Sequence, residues 1–101
     1  MRMIMLLEFP IEPFNTLVKN GTIGAKMRAI LEDAKPEHVW MSERDGKRGG
    51  IVVVDVNSAS DIPRLAEPWF LTLNAQVEFR IAMTPQELGA ADLDALGKKW
   101  A

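Results

Sequence analysis

The chain has 101 residues, one histidine, no cysteine and a formal net charge of -2. At that length a single domain over residues 1–101 is expected, and a 48% hydrophobic content is too high for a disordered chain. The missing cysteines exclude a disulfide framework, a thiol nucleophile and a cysteine-based metal site, the acidic balance argues against general nucleic-acid binding, and no apolar run approaches the length of a membrane span.

In chain order, Met1 to Phe9 is apolar from Met3 to Leu7, a run too short for a secretory signal. Ended by Phe9-Pro10, it reads as a strand buried on both faces. Pro13 can start a helix. Phe14, Leu17 and Val18, then Met27, Ile30, Leu31 and Ala34, repeat at helical spacing, with Gly21 and Gly24 marking a break between the two groups. Lys35-Pro36 ends that helix. Glu37 to Arg44 alternates with period two: Val39 and Met41 point one way, His38, Trp40 and Ser42 the other. Asp45 to Gly50 is expected to be a hairpin loop signalled by Asp-Gly, whose glycines and basic residues also allow an anion-holding nest. Ile51 to Val56 is a second strand apolar on both faces, and Asp55 near its end can cap the polar loop Asn57 to Ser60.

A short helix is expected over Asp61 to Glu67, ahead of Pro68-Trp69-Phe70. Ala75 to Met83 alternates cleanly, with Val77, Phe79, Ile81 and Met83 on one face and Gln76, Glu78 and Arg80 on the other. Thr84-Pro85-Gln86-Glu87 has the form of a capping box with proline at the first helical position. It predicts a C-terminal helix from Pro85 to about Lys99, broken near Gly89 and anchored by Leu88, Leu96 and Trp100.

The order β-α-β-β-α-β-α favours an α+β, ferredoxin-like βαββαβ sheet (order 4132) with an added C-terminal helix and both main helices on one face. The hydrophobic pattern agrees. The central strands of that sheet are the two apolar on both faces, and its edge strands are the two that alternate. One layer of helices covers only one sheet face, and leaving the other in water exposes an apolar patch large for a monomer. The C-terminal helix can cover it. A second copy of the sheet, related by a two-fold axis, is the preferred cover.

The stretch Arg48 to Pro85 carries a glycine-led strand, a polar turn, a short helix with an aromatic near its end, and an alternating strand closing on Thr-Pro. In this it resembles the dimeric α+β-barrel superfamily, in particular small bacterial families of unknown function and muconolactone-isomerase-like proteins. The resemblance implies a ferredoxin-like homodimeric barrel. It leaves the activity open, because that superfamily includes isomerases, monooxygenases, dehalogenating and haem-degrading proteins and binding modules.

On the sheet face away from the main helices, which also presents Arg44, Trp40, Ser42 and Gln76 are the candidate contacts for a small apolar or aromatic ligand; Trp69, at a helix end, either packs into the core or dimer seam or joins them as a gate. His38, Glu78 and Arg80 are the candidate catalytic residues if the protein is a cofactor-independent isomerase or monooxygenase, with His38 or Glu78 as base and Arg80 stabilising developing negative charge. The plain alternative pairs Glu78 with Arg80 across a dimer seam and uses Trp40 as filling. Gly21-Thr22-Ile23-Gly24 has the spacing of an RNA-clamping loop, but flanking bases are few and the chain is net acidic. Two glycines at a helix bend explain it as well. The expectation is therefore a cytoplasmic homodimer with no cofactor, no membrane and no nucleic acid, holding a small ligand in the barrel.

Overall fold

The computed structural model describes all 101 residues. Its elements are β1 (Arg2–Phe9), α1 (Ile11–Lys19), α2 (Ile23–Ala34), β2 (His38–Arg44), β3 (Lys47–Asp55), α3 (Asp61–Leu73), β4 (Gln76–Ile81), α4 (Pro85–Gly89) and α5 (Leu93–Lys99). The four strands form one antiparallel sheet in the order β2-β3-β1-β4. This is the ferredoxin-like arrangement expected from the hydrophobic pattern, with the doubly apolar strands β1 and β3 in the centre. The sheet is open, not closed into a barrel within one chain.

Strand periodicity sorts the side chains onto two faces. Met3, Met5, Leu7 and Phe9 of β1 and Val52 and Val54 of β3 are buried under the helices. They meet Phe14, Ile30, Leu65, Trp69 and Leu73 in one core. Phe9 is its hub, 5.3 Å from the Phe14 ring and 5.8 Å from Trp69, distances at which tilted aromatic rings attract. Val77 and Phe79 of β4 and Val39 of β2 extend this face toward the sheet edges.

The helices differ from the expectation in ways that have local causes. The break at Gly21 is complete: Asn20 ends α1, Gly21 has φ +77°, and the Asn20 side chain accepts from both the amide and the hydroxyl of Thr22. The GxxG stretch is thus the turn between two helices. Glu12 is extended, and its carboxylate accepts from the amide and hydroxyl of Thr16, capping the helical run that begins at Pro13. Helix α3 does not stop before Pro68 but continues to Leu73. Proline inside a helix forfeits a hydrogen bond and costs about 3 kcal/mol. The burial of Trp69 and Leu73, only 1% and 0% exposed, outweighs it, since large apolar side chains contribute about 1.5–3 kcal/mol each.

Asp45 to Gly50 is not a loop. Only Asp45 and Gly46 turn, both with positive φ, and Arg44 already pairs with Lys47. The primed turn suits the twist of the flanking strands, so Lys47 to Gly50 join β3 and no nest of successive amides forms. The loop after β3 is capped by Asp61, which accepts from the amides of Asn57 and Ser58. Asp55 instead pairs with the amino group of Met1 at 3.0 Å.

Past β4, the capping box forms as expected: Thr84 Oγ1 accepts from the amide of Glu87 at 3.1 Å, and the Glu87 carboxylate accepts from the amide of Thr84 at 3.0 Å. The single C-terminal helix is two short ones, separated at Asp92 in the left-handed region. Leu88, Leu96 and Trp100 do not anchor the segment to the core; they are exposed. The C-terminal segment does not cover the second sheet face. No helix is long and apolar enough to cross a membrane.

Candidate functional site

The face of the sheet away from the helices is built in cross-strand rows fixed by the register. One row runs His38, Val53, Ile4, Arg80; the next Trp40, Ile51, Leu6, Glu78; the next Ser42, Gly49, Glu8, Gln76. The sequence placed His38, Trp40, Ser42, Gln76, Glu78 and Arg80 on this face, and the register agrees. Ile4, Leu6 and Ile51 are only partly shielded there, and Trp40 is 53% exposed. His38 lies flat against Trp40, with ring centroids 5.2 Å apart and planes 18° from parallel.

Gly49 shapes the middle of the face. A Cβ built there would stand 2.9 Å from the carbonyl oxygen of Leu7 and 3.4 Å from the Cβ of Arg44. A side chain at this position would therefore press the β1 backbone away. With none present, a shallow depression of about 250 Å³ opens over Gly49, walled by Leu6, Ile51, Ser42 and Arg44. A second hollow of about 140 Å³ adjoins it and shares Leu6 and Arg44, with Glu8, Gln76 and Glu78 on its far side.

Arg44 crosses this gap. Its guanidinium on edge strand β2 donates to the Glu78 carboxylate on the opposite edge at 3.1 Å, and stands 3.7 Å from Glu8. Lys47 bonds Glu8 at 3.1 Å, and Arg80 bonds Glu78 at 3.2 Å. Glu78 and Arg80 therefore pair within one chain. The donated hydrogen bonds of Arg44 and then Arg80 hold the Glu78 carboxyl below the ordinary glutamate value of 4.5. Glu8 and Lys47 belong to this network, yet alternation alone did not single them out. Their signal was the glycine at position 49, which has meaning only once the register sets it opposite Glu8 and Ser42.

The site residues divide accordingly. Ser42, Gln76 and Glu78 border the two hollows, Trp40 lies in the adjacent row and Arg80 reaches the network through Glu78. His38 is on the far edge strand from Glu78 and Arg80, three strand spacings or about 14 Å across the sheet, so one chain does not bring the three together. Trp69 is not a gate. It lies on the inner face of α3, on the opposite side of the sheet, 1% exposed and packed on Phe9, because the helix continues through Pro68 and turns position 69 inward with Leu65 and Leu73. Its indole Nε1 is buried without an acceptor.

No family model matches the chain, and no curated protein matches it. Among solved structures, the chain is similar to the de novo designed protein Ferredog-Diesel at 11% identity and a TM-score of 0.43, over 79% of this chain and 83% of that one.

Proposed function

We propose that the chain is a binding module: a homodimer of the α+β-barrel type whose two open sheet faces close on each other and hold a small apolar or aromatic ligand between them. The observation that carries this reading is the depression over Gly49. It combines an apolar floor of Leu6 and Ile51 with a guanidinium at its wall, and at about 250 Å³ it falls short of the roughly 300–1,000 Å³ of an ordinary ligand pocket. Two such half-sites facing each other reach that range. The uncovered Ile4, Leu6, Ile51 and Trp40 supply the apolar contact that a two-fold partner buries. Arg44 favours a ligand that carries a carboxylate or another acceptor beside its apolar body.

Catalysis is the weaker reading. His38, Glu78 and Arg80 do not converge within a chain. Glu78, bonded to two guanidinium groups, is a poor proton acceptor near neutral pH.

Two measurements test the proposal. Light scattering at micromolar concentration is expected to give twice the 11.3 kDa chain mass; a single-chain mass sinks the dimer. Titration with naphthoate, followed by amide chemical shifts, is expected to move Leu6, Ser42, Arg44 and Gly49. Shifts confined to the helix side, or none at millimolar probe, reject the site.

A further inference from the structure

Helix α2 carries one apolar stripe, Ile23, Met27 and Ile30, at helical spacing. Only Ile30 is fully buried; Ile23 and Met27 are half-buried. The N-terminal part of α2 therefore stands off the sheet. On the sheet side, the cross-strand row is Met41, Gly50, Leu7, and Gly50 has no side chain to fill the gap. Met41, on edge strand β2, stays 52% exposed. The result is an open groove of about 370 Å³ among Ile23, Met27 and Met41, completed by Phe14 and Arg48. Its size falls within the roughly 300–1,000 Å³ of an ordinary ligand pocket.

Arg48 is the charged feature of this groove. Its guanidinium lies 4.4 Å from the centre of the Phe14 ring and has no ion pair in the chain. The carboxylates around it are committed elsewhere. Glu43, opposite Arg48 in the register, accepts from the amide of Gly46 at 2.9 Å. Glu12, at the start of the helix that carries Phe14, accepts from the amide and hydroxyl of Thr16. The first turn of α2 has no acidic side chain.

We infer that this groove binds an aliphatic carboxylate of medium chain length, with its head on Arg48 and its tail between Met27 and Met41. The free guanidinium selects the head, since it can hold a carboxylate with two parallel hydrogen bonds. The walls select the tail. One face of the Phe14 ring is taken by Arg48, and the other walls are flexible or branched aliphatic chains. Methionine in particular moulds itself to an unbranched chain. A hollow of about 330 Å³ on the C-terminal arm (residues 82–101), beside Leu88 and Leu93, also has Asp92 and Asp94 in its wall and repels such a head. The groove lies on the helix side of a single chain. It therefore stands or falls independently of the sheet-to-sheet dimer and of the depression over Gly49.

The test uses the full chain, labelled at its methionine methyls, with sodium octanoate as the probe. Octanoate is expected to shift the methyl signals of Met27 and Met41 and to leave that of Met5, buried in the core, in place. Octan-1-ol supplies the same tail without the charge. Arg48→Gln is expected to weaken octanoate binding about three- to tenfold, between the values of an exposed ion pair and a charge-assisted hydrogen bond, and to leave octanol binding unchanged. Arg48→Lys is expected to restore part of the octanoate affinity. Methyl signals that stay still at millimolar octanoate overturn the inference. So does an Arg48→Gln chain that binds octanoate as well as the wild type, or one that loses octanoate and octanol equally. Methyl shifts that grow with protein concentration in the absence of any probe place a second copy in the groove, and overturn it as well.

Discussion

Gly49 sets the chemistry of the open face by having no side chain. Its backbone lies too close to the Leu7 carbonyl for a Cβ, at 2.9 Å, and the space it leaves lets Arg44 reach Glu8 and Glu78 across two strands. Gly49→Ala must shift the β1 backbone. It is expected to cost about 1–3 kcal/mol, the range for overpacking, measured by urea unfolding, and to reduce naphthoate binding. The acid response belongs to the same scale. Glu78 has a lowered value in the folded chain because of Arg44 and Arg80. The folded state therefore binds its proton more weakly than the unfolded state, and the stabilisation is present above pH 4.5 and lost as pH falls through the lowered folded value. Thermal melts of the wild type and Glu78→Gln are expected to differ at pH 7 and to converge below pH 4.5; a constant gap down to pH 3 contradicts this account. Alternation already put Glu78 on this face; what was illegible in sequence is its network, because the partners are far apart along the chain. Glu8, Arg44, Gly49 and Glu78 come from four strands, and only pairing brings them to one place.

At the scale of elements, the reading was most reliable where a local signal acts alone. The alternation of β4, the Asp-Gly turn and the Thr84–Glu87 capping box depend on neighbours within four residues, and all three form. It was least reliable where tertiary burial competes with a local breaker. Pro68 suggested a helix end, but Trp69 and Leu73 fill the core only if α3 continues, and burial prevails. In the arm the reverse holds. Short helices are marginal without packing, and α4 and α5 bury no residue in the core, so the periodic pattern breaks into two pieces at Asp92. The cap of α4 therefore acts locally. Thr84→Ala removes about 0.5–2 kcal/mol of capping. It is expected to speed amide exchange at Leu88, whose amide bonds the Thr84 carbonyl, by roughly 2- to 30-fold, while the melting temperature of the body stays unchanged. A loss of global stability places the arm against the body.

For the whole molecule, one consequence dominates: a sheet with two apolar faces and helices on one. Leu6, in the row between Ile51 and Glu78 and only partly buried, is the most central side chain of the uncovered face. Leu6→Lys places a charge in the proposed seam without entering the core under the helices. It is expected to leave the fold intact by circular dichroism and to shift light scattering from the dimer mass to 11.3 kDa; a dimer that survives it does not use this face. Sequence patterning by itself determined the strand order, the face on which each strand residue lies and the excess of apolar surface, because period and charge are carried by neighbours along the chain. Only the tertiary structure decided that the C-terminal segment leaves that surface bare, that α3 runs on through Pro68 and so puts Trp69 in the core and not at a gate, and that His38 stands apart from Glu78. Each of those outcomes depends on distances between segments far apart in sequence, where packing and register, not local preference, set the geometry.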